Sequence, residues 1–69
     1  MVQDSGAVAA RLRSMRERAG LSQEQLAARA GLATGTVRKI ETGAVTEPGF
    51  FTVMTLLRIL GARAEDIMA

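Results

Sequence analysis

Arg38 and Lys39 stand side by side in a short polar stretch, Thr34-Gly35-Thr36-Val37-Arg38-Lys39-Ile40-Glu41-Thr42, whose hydrogen-bond donors suit the edges of nucleic-acid bases. Guanidinium and ammonium groups donate to guanine N7 and O6, and a threonine accepts, donates or touches a thymine methyl. Whether such groups act together depends on the backbone beneath them. If the stretch is helical, with Val37 and Ile40 turned inward, a step of about 100° per residue puts Gly35, Arg38, Lys39 and Thr42 on the outward side. Thr34 then stands at the exposed start of that helix. A helix fits the major groove of B-form DNA, so this side can meet base edges. The alternative for Arg38 and Lys39 is an ordinary solvated face.

The residues just before supply the element that would hold such a helix. In Leu21-Ser22-Gln23-Glu24-Gln25-Leu26, the Ser22 hydroxyl can accept from the Gln25 amide while the Gln25 side chain reaches back to the amide of Ser22. Leu21 and Leu26 fall at the staple positions on either side of that cap. Gly31 is placed where the chain must reverse, because a residue without Cβ enters a left-handed turn at no steric cost. The product is two short helices joined at a tight glycine turn, an arrangement that most often serves to grip DNA.

Counted from Gln23, this segment resembles the helix-turn-helix of the Cro/CI-type repressors, the XRE family. Ala27 is the small residue where the helices cross and Gly31 is at the turn, while Leu26, Ala30, Leu32, Val37 and Ile40 are apolar where that family buries its side chains. The likeness extends to Met15-Arg16-Glu17-Arg18-Ala19-Gly20 before it, and to Ile40-Glu41-Thr42-Gly43 and Leu60-Gly61 after it. It covers nearly all of the chain from about Ala7. The resemblance implies an all-α, five-helix, lambda-repressor-like DNA-binding domain with the motif at helices two and three. It also implies base readers at Thr34, Gly35, Arg38 and Lys39 and a phosphate contact at Gln23, where a helix N-terminus adds free amides and a favourable dipole. With Thr36 and Thr42 these complete the candidate DNA-contacting set. Arg16 and Glu41 match positions that pair between helices in those repressors, which implies a partly buried structural ion pair.

The chain departs from that pattern at two points. Gly35 lies near the centre of the proposed reading face, where relatives often carry a long polar side chain. It either lets the backbone come close to DNA or is a tolerated glycine that costs up to about 1 kcal/mol against alanine. The loop Ala44-Val45-Thr46-Glu47 has one acid and no base, whereas better-known relatives set lysine or arginine against the phosphates. Fewer phosphate contacts imply weaker non-specific binding and a shallower salt dependence, unless the loop turns toward a protein partner.

With 69 residues the chain is one domain, near the lower size at which a single hydrophobic core suffices. It has no Cys and no His, so disulfides and the usual zinc ligand sets are excluded, and no cofactor or metal is expected. Nine basic and seven acidic residues give a net charge of only +2, so the placement of charge matters more than its sum. No nucleophile with a base and no phosphate-binding loop is evident, so an enzyme is not expected. The longest apolar run is too short to span a bilayer and no leader opens the chain, which points to a cytoplasmic protein. By its resemblance it would be bacterial or phage and associated with the nucleoid when bound to DNA.

Residues 1–6 are expected to be a mobile tail, with Asp4 or Ser5 as the first cap, and residues 7–69 the DNA-binding domain. Helix one is expected over Ala7 to Ala19, with Val8, Leu12, Met15 and Ala19 inward, and a stop at Gly20. Helices two and three follow, the latter stopped by Gly43. Helix four is expected from Phe50 to a stop at Gly61, and a last short helix from Ala64 to Met68, with Glu65 and Asp66 in its first turn. Asp4, Glu17, Glu24 and Arg29 are expected on the solvated surface.

Helix four is more apolar than one core face requires. Val53, Leu56, Leu57 and Leu60 suffice to pack under the motif, which leaves Phe50, Phe51, Met54 and Ile59 partly exposed, with Val45 and Met68 as neighbours. Such a patch on a small domain usually marks a contact, here a symmetric dimer; both rings folding into the core is the alternative. The expected function is a homodimeric transcriptional regulator of double-stranded DNA, a repressor on a palindromic operator. An antitoxin-like autorepressor or a restriction-modification controller fits within the same class. A protein-interaction module reusing the fold is the reading from another class.

Overall fold

Helix α1 (Ser5–Arg18) opens the structure, a computed structural model that describes residues 5–44, 49–63 and 65. It begins two residues ahead of the expected Ala7, so Ser5 is a helical residue and not the cap. Val8, Leu12 and Met15 of the expected stripe face the core, but Ala19 lies beyond the last helical residue and is exposed, because the chain is already turning toward Gly20. Ala9 and Leu12 are buried, and Val8 and Met15 pack against the same core. Beyond Arg18 the chain turns at Gly20, and the Leu21 amide donates back to the Arg16 carbonyl over 3.2 Å.

Helix α2 (Gln23–Ala30) begins with both halves of the predicted capping box, the Gln25 amide on the Ser22 hydroxyl at 3.0 Å and the Ser22 amide on Gln25 Oε1 at 2.8 Å. Two of the amides that a helix N-terminus would leave unpaired are thereby satisfied. The other end of α2 needs the one residue that can reverse it. Gly31 sits at φ 69°, and the Leu32 amide returns to the Ala27 carbonyl at 2.8 Å, so α3 (Thr34–Thr42) starts within a few residues. A side chain at that φ would crowd its own carbonyl. Helices α3 and α4 (Phe50–Leu60) stop at Gly43 and Gly61, as the sequence predicts.

Leu12, Leu26, Ala27, Val37, Ile40, Leu56 and Leu57 form one buried cluster drawn from all four helices. Burying each of the larger side chains stabilises the fold by about 1.5–3 kcal/mol, so this cluster fixes the relative positions of the helices. Helix α3 packs against α1 and α2, and α2 against α4. Ala27, 1 % exposed, is the small residue that lets α2 come close to its neighbours. Held from two sides, α3 keeps its remaining face open.

Four helices and no strands are present among the described residues. Of the expected fifth helix only Glu65 is described, and its exposed carboxylate meets Arg63 at 3.2 Å. Val45, Thr46, Glu47, Met68 and residues 1–4 lie outside the described residues. No described helix is long and apolar enough to cross a membrane. No group of three or more potential metal-ligating His, Cys, Asp or Glu occurs among the described residues.

Candidate nucleic-acid interface

Val37 and Ile40 are buried to within a few per cent, and their insertion into the core sets the rotation of α3 about its axis. Arg38, Lys39 and Thr42 consequently emerge on the far side and are exposed, whereas Thr34, Gly35 and Thr36 in the first turn are half-buried. Thr34 is thus less open than an exposed helix start implies. Neither Arg38 nor Lys39 forms a hydrogen bond or ion pair with another described side chain. Two adjacent cations are therefore available to an external acceptor. The Thr42 hydroxyl donates to the Lys39 carbonyl at 3.1 Å, which leaves its oxygen as an acceptor. Beyond its chain neighbours and the backbone of its own helix, no atom lies within 4 Å of the place where a Cβ on Gly35 would stand.

Behind this face lies the ion pair that the resemblance implied. Arg16 on α1 and Glu41 on α3 are each only 8 % exposed. They meet in a two-pronged contact, with Nε donating to Oε2 at 2.6 Å and Nη2 to Oε1 at 3.0 Å. The third guanidinium nitrogen, Nη1, donates to the Leu21 carbonyl at 2.8 Å. Its hydrogen bond to Glu41 is the main cause that raises the Arg16 pKa, with the charge of Glu41 adding to it against the opposing effect of burial. One side chain thus ties α1 to the turn that follows it and to α3.

Gln23 belongs to this network as well, which the sequence reasoning missed. Its Nε2 donates to Glu41 Oε1 at 3.1 Å, so the first residue of α2 is joined to the end of α3. A signal for this partner was present. A buried carboxylate has about four acceptor sites, and a two-pronged guanidinium fills only part of them, so there is room for a second donor beside it. Half-buried Gln23 retains its amide oxygen and a second amide hydrogen for an outside partner. No buried side-chain nitrogen or oxygen among the described residues lacks a hydrogen bond.

The arrangement has a two-helix unit whose second helix is tied to α1 by a buried ion pair and carries a free cationic edge. A family model described as "Helix-turn-helix domain" matches residues 7–68. The chain belongs to this helix-turn-helix family. It is similar in structure to the clp gene regulator ClgR of Corynebacterium glutamicum, with a TM-score of 0.86 at 26% identity over 93% of this chain and 81% of that one. A second structure of the same regulator gives the same TM-score and identity with 67% of that chain covered. The restriction-modification controller protein C.AhdI of Aeromonas hydrophila matches with a TM-score of 0.85 at 28% identity, over 91% of this chain and 94% of that one. Comparison with curated proteins finds no match. The fold is that of DNA-binding transcriptional regulators of the XRE type.

A second surface lies on α4. Phe50 is 70% exposed, Phe51 83% and Met54 37%, so neither ring folds into the core. The two rings pack edge to face, with centroids 5.7 Å apart. Ile59 is half-buried and packs against the core. Beside the rings a shallow groove of about 390 Å³ is lined by Phe51, Met54, Thr55, Leu57, Arg58 and Ala62.

Proposed function

We propose that this helix-turn-helix protein is a sequence-specific transcriptional regulator that represses by occupying a palindromic operator as a homodimer. The observation that carries the reading is the open face of α3, where Arg38, Lys39 and Thr42 are exposed and both cations lack partners among the described side chains. In this reading Arg38 and Lys39 donate to guanine edges, Thr34, Thr36 and Thr42 contact neighbouring bases or sugars, and Gln23 reaches a phosphate with the part of its amide that Glu41 leaves free. Arg16 and Glu41 hold α3 at the angle this requires and touch no DNA.

The dimer is proposed from the exposed Phe50, Phe51 and Met54. Two such faces brought together about a two-fold axis would remove from water an apolar surface that a monomer leaves exposed. Paired α3 helices would then sit about 34–36 Å apart, one turn of B-DNA. Both similar proteins are named for regulation or control, of clp genes in one case and of restriction-modification in the other. For this chain such a control role is a reading of the same class.

Selection of bound duplexes from a random pool in low salt tests the proposal. A recovered site with two inverted half-sites one helical turn apart is the expected result. Failure to retain any duplex would overturn DNA binding and leave the α4 surface as the main contact of a protein-interaction module. A single unrepeated half-site would overturn the dimer alone.

A further inference from the structure

Nothing among the described residues asks for glycine at position 35. Its backbone does not take the left-handed conformation found at Gly20, Gly31, Gly43 and Gly61, and a Cβ there would meet no atom within 4 Å beyond its chain neighbours and the backbone of its own helix. Glycine in a helix is less stable than alanine, because it loses more backbone freedom on folding. The turn is weakened a second time at Ala33, which gives α3 no side-chain cap, whereas α2 has a complete capping box. Both sacrifices fall at the same end of the helix that carries the free cations. No compensating contact for the glycine occurs among the described residues, and a partner outside the chain would account for it.

Residues three and four apart share a helix face, so Gly35 stands directly beside Arg38 and Lys39. A side chain at position 35 would hold any surface approaching those cations away from the helix backbone. We infer that Gly35 determines specificity by what it lacks: the duplex enters the space a Cβ would fill, bringing base edges within reach of Thr34, Arg38 and Lys39. Glycine permits this close approach of a backbone to a ligand. The inference rests on the DNA-binding reading and adds to it the location of the closest contact.

The test compares the full chain with Gly35→Ala and Gly35→Gln in two measurements, thermal unfolding without DNA and affinity for the duplex selected by the wild type. Gly35→Ala should melt a few degrees higher and bind the duplex about tenfold or more weakly, a loss that contact removal cannot explain because no atom is removed. Gly35→Gln should bind that duplex more weakly still, and renewed selection should change the preferred base at one position of each half-site. Undiminished binding by Gly35→Ala would overturn the inference, as would a lower melting temperature, which would assign the glycine to the fold. If the wild type selects no duplex, the DNA-binding reading fails and the inference falls with it. A wild type that selects a site which Gly35→Ala binds equally well sinks the inference alone.

Discussion

Glu41→Ala leaves the Arg16 guanidinium buried with one of its two partners gone and frees the Gln23 amide, so it removes more than one contact. Breaking a buried pair from one side costs about 3–5 kcal/mol, and urea unfolding should show a loss of that size. The double variant Arg16→Ala/Glu41→Ala should lose less than the sum of the single variants, because neither charge is then stranded. Additive losses would mean that the pair is not coupled. A raised folded-state pKa makes the contribution of Arg16 complete below its ordinary pKa and lost only as pH rises through the raised value. Neutral and mildly alkaline solutions should therefore leave its charge in place. Exposed Arg38 behaves oppositely: Arg38→Ala should leave the melting temperature nearly unchanged yet cost roughly 1–3 kcal/mol on the selected duplex. Equal weakening on scrambled DNA would reassign Arg38 to phosphate.

The α2 start and the α3 start are built differently, and the difference predicts where the motif is sensitive. Ser22→Ala deletes the acceptor for the Gln25 amide and should destabilise the domain by about 0.5–2 kcal/mol in thermal unfolding. An unchanged midpoint would show that water replaces the cap without loss. Because α2 also presents Gln23 to Glu41, hydrogen exchange in Ser22→Ala should speed up at the first turn of α2 and spread to the end of α3. At α3, where Ala33 offers no cap, stability comes from Val37 and Ile40 in the core. Tertiary packing here replaces what the local sequence does not provide, as is usual for a helix of only nine residues.

The whole molecule leaves two large rings in water on α4, and this surface governs assembly in the proposed function. Phe51→Glu should leave the fold intact, since the ring is 83% exposed, and should convert a dimer into a monomer by placing two carboxylates opposite each other. Sedimentation velocity with circular dichroism reads both effects. Affinity for a palindromic duplex should drop while every α3 residue remains. A wild type that sediments as a monomer at high concentration and on DNA would reject the dimer. The loop Ala44-Val45-Thr46-Glu47, with no base to meet phosphates, adds an expectation for salt, namely a shallow decline of affinity as few counterions are released.

Local chemistry makes much of this molecule legible in its sequence. Ser22 with Gln25, the glycine stops at 31, 43 and 61, and the spacing of Val37 and Ile40 each depend on interactions within a few residues, so they can be read from the chain directly. The apolar surplus of α4 is likewise visible as composition, although the sequence leaves open whether Phe50 and Phe51 turn inward. Arg16 and Glu41 are paired by resemblance, since 25 residues separate them and no local rule joins them. Only tertiary structure decides that Gln23 shares their carboxylate, that the rings stay outside, and that no other element fills the place of a Cβ on Gly35. Each of these depends on how separate helices are packed, and a hydrogen bond, a filled core or an open space between elements exists only once their relative positions are fixed.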